Sequence, residues 1–170
     1  GMANQRTRRE HDLLATIEAV HAASLDAELW PQGLAAVTRL FGGAGCTLEA
    51  FEKPSGLPLS YHSFGIPELC VSEYLEYWAP RNPRAIHGRR LKEGDIAFDY
   101  QFTDEVAMDR DPYYSELLPR TDFRYFLAAT LVGTSDTQAV LAVQYTSGQG
   151  HAQRSDVALM ARLLPHLRQA

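Results

Sequence analysis

The sequence predicts an α+β domain in which an antiparallel sheet of about five strands is flanked by helices. Three observations predict it. The chain begins and ends with amphipathic helical patterns, two pairs of apolar runs are each joined by a short polar turn, and helical segments separate the two pairs. With 170 residues, 45% hydrophobic and 22% charged, the chain has the size and composition of one soluble globular domain.

Two helices are predicted near the start of the chain. The first covers residues 9–24, where apolar residues recur every three or four positions. A turn at Asp26 leads into the second helix, which begins near Pro31 because proline is tolerated in a first helical turn. This helix is expected to end at Gly42-Gly43, since glycine adopts the left-handed conformation that closes many helices.

The eight residues before the first helix are mostly polar and begin with Gly-Met, which is typical of the remnant of a removed tag. We therefore predict a tag remnant and a flexible tail over residues 1–8. A single domain is predicted over residues 9–170.

Two hairpins are predicted to supply most of the sheet. The runs "GCTLEAFEK" and "LPLSYHSF" alternate apolar and polar residues and are separated by Pro54-Ser55-Gly56, which favours a tight connection. The segment "YFLAATLVGTSDTQAVLAVQYTS" holds two longer apolar runs around a polar turn, and we expect it to form the central hairpin. A short strand is predicted over residues 95–98.

Helical segments connect the two hairpins. A third helix begins near Pro67 and must end before Pro80, because proline interrupts the helical hydrogen bonds. Short helices are also expected in "RAIHGRRL", from Thr103 and from Asp111-Pro112. The last helix, "SDVALMARLLPHLRQA", contains Pro165, where we expect a kink, and it reaches the end of the chain without a capping signal.

Charge and cysteine content narrow the classes of function. The formal net charge is −5, whereas domains that bind nucleic acid directly usually carry a basic face. Cys46 and Cys70 form neither a metal-type pair nor a disulfide framework, which is typical of a reducing cytoplasm. No apolar run reaches the roughly 20 residues of a membrane span. The sequence therefore predicts a cytoplasmic protein without membrane association.

The sequence contains no motif of a catalytic or metal site. None of the six histidines forms an H-E-x-x-H pair, and neither C-x-x-C nor G-x-S-x-G occurs. The glycines of "FGGAGC" lie between a helix and a strand, which is the reverse of a phosphate-binding loop, and they are interpreted as a helix stop. We predict that the chain is not an enzyme and carries no cofactor.

The stretch "EYLEYWAPRNPRAIHGRR" is the strongest candidate for a ligand site. Tyr74, Tyr77, Trp78 and Asn82 bring two phenols, an indole and an amide close together. Small-molecule sites combine an apolar hollow with a few directed polar groups in this way. The alternative is that Trp78 belongs to the core, which is the more common position of a helical tryptophan.

Four segments, taken in order along the chain, resemble one known family. They are "LWPQGLAAVTRLFGGAGCTL", "EYLEYWAPRNPRA", "DPYYSELLPRTDFRYFLAATL" and "LLPHLRQA". Their order and spacing resemble the N-terminal GAF/PAS-like sensor domain of LuxR-type bacterial transcriptional regulators, which precedes a helix-turn-helix domain. The resemblance extends over nearly the whole chain and implies the GAF/PAS-like form of the α+β fold.

The resemblance implies a cytoplasmic domain that senses an unidentified small molecule and controls a C-terminal DNA-binding domain outside this chain. DNA would be contacted only through that second domain, and a homodimer is expected. The best-known ligands of the family are acyl-homoserine lactones, held by a Trp, a Tyr and the aspartate of an Asp-Pro pair. Here the pair is Asn82-Pro83, and an asparagine carbonyl accepts hydrogen bonds without charge assistance, which disfavours a lactone.

The predicted ligand-binding residues combine the motif with the strand patterns. The motif implies Tyr74, Trp78 and Asn82, and the remaining residues come from strand alternation or from proximity to these three. The full predicted set is Tyr61, Tyr74, Tyr77, Trp78, Asn82, Phe126 and Gln144.

Two other interpretations stay open from the sequence. In the first, the chain is a ligand-free dimerisation or protein-interaction domain, in which the aromatic residues are core and apolar stripes on the first and last helices pair between subunits. Those stripes are Leu13, Ile17 and Val20 on the first helix, and Val157, Ala161 and Leu164 on the last. In the second, the chain is a GAF-type domain for cyclic nucleotide, haem or bilin, although no recognition motif supports this.

Overall fold

A computed structural model of the chain describes residues 1–168 and contains six α-helices and five strands in the order α1-α2-β1-β2-α3-α4-β3-α5-β4-β5-α6. The helices are α1 (Met2–Leu25), α2 (Trp30–Phe41), α3 (Glu68–Glu73), α4 (Pro83–Gly88), α5 (Glu105–Arg110) and α6 (Arg154–Arg168). The strands are β1 (Gly45–Glu52), β2 (Pro58–Phe64), β3 (Ile96–Phe98), β4 (Phe123–Gly133) and β5 (Thr137–Thr146). Gln169 and Ala170, the last residues of the predicted domain, lie outside the described residues.

The five strands form one antiparallel sheet in the order β2-β1-β5-β4-β3. Both predicted hairpins are present, and the second is central because β5 pairs with β1 on one side and β4 on the other. The short strand β3 pairs only with β4 and forms an edge. The predicted fold class is confirmed.

The main core lies on one face of the sheet. Leu127, Leu141 and Val143 are almost completely buried there, because side chains alternate between the two faces of a strand. Helix α2 packs against β1 and β2, helix α6 packs against β4, and α1 lies outside both helices. Burial of this apolar face is the main source of stability for the fold.

The packing of α1 uses the stripe that was considered for a dimer. Leu13 and Val20 are buried within a single chain, where α1 contacts α2 and α6. Leu164 of α6 is buried in the same core, whereas Ala161 is exposed. Most of the two apolar stripes that the sequence suggested for pairing between subunits is therefore used inside one subunit. Helix α1 also extends over residues 2–8, all of which are exposed.

The termini of the helices follow local chemistry. Helix α2 ends at Gly42 with a φ of 63°, in the left-handed region that glycine tolerates. Helix α5 begins after Asp104, whose side chain accepts a hydrogen bond from the backbone N–H of Ala107. Helix α6 continues through Pro165 to Arg168, so it does not end at the proline. Within residues 1–168, no helix combines the length and apolar character required to cross a membrane.

The crossover from β2 to β3 departs from the predicted uninterrupted helix. Helix α3 ends at Glu73 and is followed by a π-helical turn over Tyr74–Trp78 and a 3₁₀ turn over Ala79–Arg81. Pro80 and Pro83 lack the N–H groups that would extend an α-helix through this segment. A second π-helical turn covers Tyr113–Leu117, and turns of this type are often found at functional sites.

Replacement of Gly45 by alanine should destabilise the sheet. A Cβ atom at this position would lie 2.6 Å from Cζ of Phe123 and 2.8 Å from the carbonyl oxygen of Phe64, and the backbone oxygen has little freedom to move. We expect Gly45→Ala to lower the free energy of unfolding by about 1–3 kcal/mol in urea denaturation. Gly148→Ala is the matched control, because its nearest neighbour would be Thr146 Oγ1 at 3.9 Å. Equal stability of the two variants would contradict the prediction.

Candidate ligand-binding cavity

A cavity of about 90 Å³ lies between the second face of the sheet and the crossover that contains α3 and α4. Strands β1, β4 and β5 provide its floor, and the two π-helical turns provide part of its walls. A volume of this size holds about three waters, at roughly 30 Å³ for each. It therefore suits a molecule of about three to five non-hydrogen atoms.

The cavity exists because the centre of its floor carries small side chains. Thr47, Ala142, Ala128 and Ala97 lie directly opposite one another on four adjacent strands and form one row across the sheet. All four line the cavity. Side chains that project so little leave a hollow between the sheet and the crossover.

One end of the cavity contains the buried guanidinium of Arg84, the second residue of α4. Its Nη1 donates to Gln144 Oε1 at 2.8 Å and its Nη2 donates to the carbonyl oxygen of Arg124 at 2.9 Å. Its Nε donates to the Tyr114 hydroxyl at 3.2 Å. The ring of Phe126 lies 4.5 Å from Arg84 Cζ. Arg84 thereby joins the crossover to β4 and β5.

Asp99 balances the charge of Arg84. Its Oδ1 lies 3.6 Å from Arg84 Nη2, and both side chains are almost completely buried. The same carboxylate accepts hydrogen bonds from the Tyr114 hydroxyl at 2.6 Å and from the backbone N–H of Phe126 at 2.8 Å. Because its charge is paired and its oxygens accept hydrogen bonds, this buried carboxylate meets the conditions under which charges are tolerated in a protein interior.

Glu49 of β1 lies at a different part of the cavity wall and has no cationic partner among residues 1–168. Its two carboxylate oxygens accept hydrogen bonds from the Tyr74 hydroxyl, at 2.9 and 2.8 Å. No Lys, Arg or His nitrogen of residues 1–168 lies within 4.0 Å of it. Burial therefore raises the pKa of Glu49 to about 7, and the hydrogen bond from Tyr74 only partly opposes this shift.

Asn82 connects the motif to the cavity wall. Its Nδ2 donates to the Tyr74 hydroxyl at 3.2 Å, and its Oδ1 accepts from the backbone N–H of Arg84 at 2.9 Å. The second contact caps the N-terminus of α4. Both polar ends of this side chain are thus engaged within the protein, where they position Tyr74 and begin the helix that carries Arg84.

Three tyrosines surround the carboxylate of Glu49. Tyr61 faces Glu49 directly across the β1–β2 pair, and its ring lies 5.6 Å from that of Tyr74. Tyr113 begins the second π-helical turn and also lines the cavity. Burial, together with nearby acidic groups, raises the pKa of all three phenols, so they remain neutral at physiological pH.

The structure places five of the seven predicted ligand-binding residues on the cavity wall. These are Tyr61, Tyr74, Asn82, Phe126 and Gln144. Tyr77 is 51% exposed and lies outside the wall. Trp78 packs edge-on against Tyr113, with 6.2 Å between ring centroids, and does not line the cavity either. The π-helical turn contributes to this placement, because one extra residue rotates the following side chains by roughly 100° relative to an α-helix.

Sequence reasoning missed several wall residues, including Glu49, Arg84, Tyr113 and Gln138. The signal for Glu49 and Gln138 was present, since alternation along β1 and β5 places them on the same face as Thr47 and Gln144. No sequence signal distinguishes Arg84 from its neighbours Arg81, Arg89 and Arg90. Charged residues usually lie at the surface, and only the tertiary contacts bury this one.

No model of a known protein family and no curated protein matches the sequence. Among residues 1–168 there is also no cluster of three His, Cys, Asp or Glu side chains arranged to hold a metal ion.

Solved structures, however, match the fold. The N-acylhomoserine lactone dependent LuxR family transcription factor CepR2 from Burkholderia cenocepacia aligns with a TM-score of 0.67 and 12% identity, over 95% of this chain and 92% of that chain. The VqsR LBD domain from Pseudomonas aeruginosa aligns with a TM-score of 0.67 and 14% identity, over 91% of each chain.

A phycocyanobilin-bound GAF domain from a cyanobacterial phytochrome aligns with a TM-score of 0.55 and 11% identity, over 92% of each chain. This chain has the fold of the LuxR-type and GAF domains. The resemblance inferred from the sequence is confirmed for the fold. Its chemistry must be argued from its own residues, because identities this low relate folds and not sites.

Loss of the Arg84 charge should destabilise the domain strongly. Arg84→Met keeps much of the side-chain volume but leaves Asp99 as a buried carboxylate without a cation. We expect the free energy of unfolding to fall by about 3–5 kcal/mol in urea denaturation. The double variant with Asp99→Asn should be less destabilised than the sum of the single variants. Arg120→Met, which breaks an exposed ion pair with Glu73, is the control and should remain close to wild type.

Ionisation of Glu49 should make the fold less stable as pH rises. The pKa of Glu49 is raised to about 7 in the folded state, so between roughly pH 4.5 and 7 the folded chain binds more protons than the unfolded chain. Stability is therefore lost across this window. Comparison of urea denaturation at pH 5 and pH 8 should show wild type losing about 1–3 kcal/mol more than Glu49→Gln. Parallel pH profiles for the two proteins would refute the assignment.

Proposed function

We propose that this chain is the small-molecule-sensing regulatory domain of a bacterial transcription factor, and that it controls a DNA-binding domain outside this chain. The observation that carries the proposal is the cavity between the sheet and the α3–α4 crossover, which is largely apolar with a few convergent polar groups. The fold likeness to CepR2, a lactone-dependent transcription factor, and to the VqsR LBD domain supports the regulatory role over a catalytic one.

A ligand in this cavity would contact both the sheet and the crossover. The crossover is attached to the sheet by polar contacts, among them Arg84 with Gln144 and the Gly88 carbonyl with Gln138 Nε2 at 2.7 Å. A ligand that binds only when these two layers are together stabilises that arrangement by its own binding free energy. This is the physical basis on which occupancy of the cavity could be communicated to another domain.

Asn82 supports a ligand that differs from a lactone. Its carbonyl oxygen already accepts the N–H that caps α4 and its amide nitrogen only donates, so this side chain lacks the charged acceptor that an aspartate provides in the lactone-binding motif. The acidic group of this cavity is Glu49, which lies on β1.

The homodimer remains a prediction. The stripes on α1 and α6 are largely buried within one chain, which leaves little of their surface for pairing between subunits. Light scattering at micromolar concentration measures the state directly, and a mass near 19.0 kDa would contradict the dimer.

Filling the cavity should abolish ligand binding without unfolding the protein. Ala142 lies at the centre of the row of small residues, and a leucine there would occupy the space above Thr47 and Ala128. We propose a screen by saturation-transfer NMR with compounds of about three to five non-hydrogen atoms, a size that matches the cavity. Compounds that bind wild type should lose binding in Ala142→Leu.

Ala139→Leu is the matched control, because Ala139 lies on the same strand and does not line the cavity. This variant should bind the compounds as wild type does, and circular dichroism should show that both variants are folded. Absence of any bound compound, or equal binding by Ala142→Leu, would contradict the proposed function.

A further inference from the structure

The charges around the cavity do not cancel. Arg84 is paired with Asp99, so these two groups contribute no net charge. Glu49 accepts hydrogen bonds only from the neutral Tyr74 hydroxyl among residues 1–168. When Glu49 is ionised, the cavity wall therefore carries one negative charge without a partner, and such a charge is costly even when it is only partly buried.

A second acceptor without a donor lies beside Glu49. Glu49 is paired with Val140 across β1 and β5, and Gln138 is two residues further along β5 on the same face. Such diagonal neighbours lie roughly 7–8 Å apart. Gln138 is completely buried and lines the cavity, its Nε2 donates to the Gly88 carbonyl oxygen, and its Oε1 accepts no hydrogen bond from the described residues. Gly88 O can only accept, which fixes the orientation of this amide.

The aromatic residues around Glu49 favour a cation. Tyr61 lies opposite Glu49 in the sheet, Tyr74 contacts its carboxylate, and Tyr113 lines the same cavity. The faces of phenol rings attract ammonium groups, and the attraction increases when the site is shielded from water. A carboxylate, an amide oxygen and three phenol rings together provide the chemistry that recognises an amine.

We propose that the ligand of this cavity carries a protonated amine that donates to Glu49 and Gln138, with its apolar body lying over the row of small residues at Thr47, Ala142 and Ala128. This inference rests on the proposed function, since it assumes that the cavity binds a ligand. It specifies the chemical class: a small monoamine with an apolar chain or ring, in preference to an alcohol or a carboxylate of the same size.

The titration of Glu49 agrees with this geometry. Burial raises the pKa of Glu49 to about 7, and an ammonium group beside it would stabilise the ionised form. The titratable groups that face Glu49 are Tyr61 from β2, Tyr74 from the first π-helical turn and Tyr113 from the second, whereas Cys46 of β1 lies on the opposite face of the sheet. Burial raises the pKa of the Cys46 thiol and of each of these phenols, which leaves Glu49 as the group that changes charge between pH 6 and 8.

The test compares three probes of similar size that differ in their head group: propylamine, 1-propanol and propanoate. Binding of each to the purified protein is measured by calorimetry at pH 6 and pH 8. At pH 8 we expect propylamine to bind at least about tenfold more tightly than 1-propanol, with propanoate weakest. An alkyl amine stays protonated over this range, so its affinity should fall about tenfold at pH 6 as Glu49 takes up a proton, while that of 1-propanol stays constant.

Two variants identify the source of the preference. Glu49→Gln should remove most of the preference for propylamine over 1-propanol, together with the pH dependence of that preference. Glu52→Gln makes the same change of charge on the same strand at an exposed position outside the cavity, and it should retain both.

The outcomes separate this inference from the proposed function. If 1-propanol binds, Ala142→Leu abolishes its binding, and propylamine binds no more tightly than 1-propanol, the amine is ruled out while the cavity remains a ligand site. A preference for propylamine that survives in Glu49→Gln also overturns the inference. If none of the three probes binds wild type, the proposed function fails and the inference fails with it.

Discussion

The buried guanidinium of Arg84 is the contact on which the arrangement of this domain depends. It donates to a side chain of β5, to a backbone carbonyl of β4 and to Tyr114, and it is neutralised by Asp99. Each of these partners would be costly to bury without the others. The crossover is therefore held to the sheet at a defined place by polar contacts, in addition to apolar packing.

That attachment explains how an open space survives inside a small domain. A row of alanine and threonine side chains across four strands leaves empty space above the sheet. Protein interiors are close-packed, and neighbouring side chains normally fill such a space. Here α4 is fixed by Arg84 at one end, and the Gly88 carbonyl is tied to Gln138 further along β5. The two π-helical turns direct Tyr74 and Tyr113 into the remaining space.

The cavity has two polar regions with different electrostatics. Around Arg84 and Asp99 the charges are paired and most hydrogen-bonding groups are engaged, so this region serves mainly to hold the fold together. Around Glu49 and Gln138 there is one carboxylate without a cation and one amide oxygen without a donor. Polar groups left in this state inside a protein mark a place where a ligand can supply what is missing.

The sequence by itself determined the fold class, the two hairpins, the end of α2 at Gly42 and the segment that forms the cavity wall, because these depend on local periodicity and on glycine and proline chemistry. The tertiary structure alone decided that Arg84 is buried, that Tyr77 and Trp78 turn away from the cavity, and that Glu49 has no cation beside it. Such properties arise from strand register and from a π-helical turn, and they join residues as far apart as Arg84 and Gln144, beyond the reach of any local pattern.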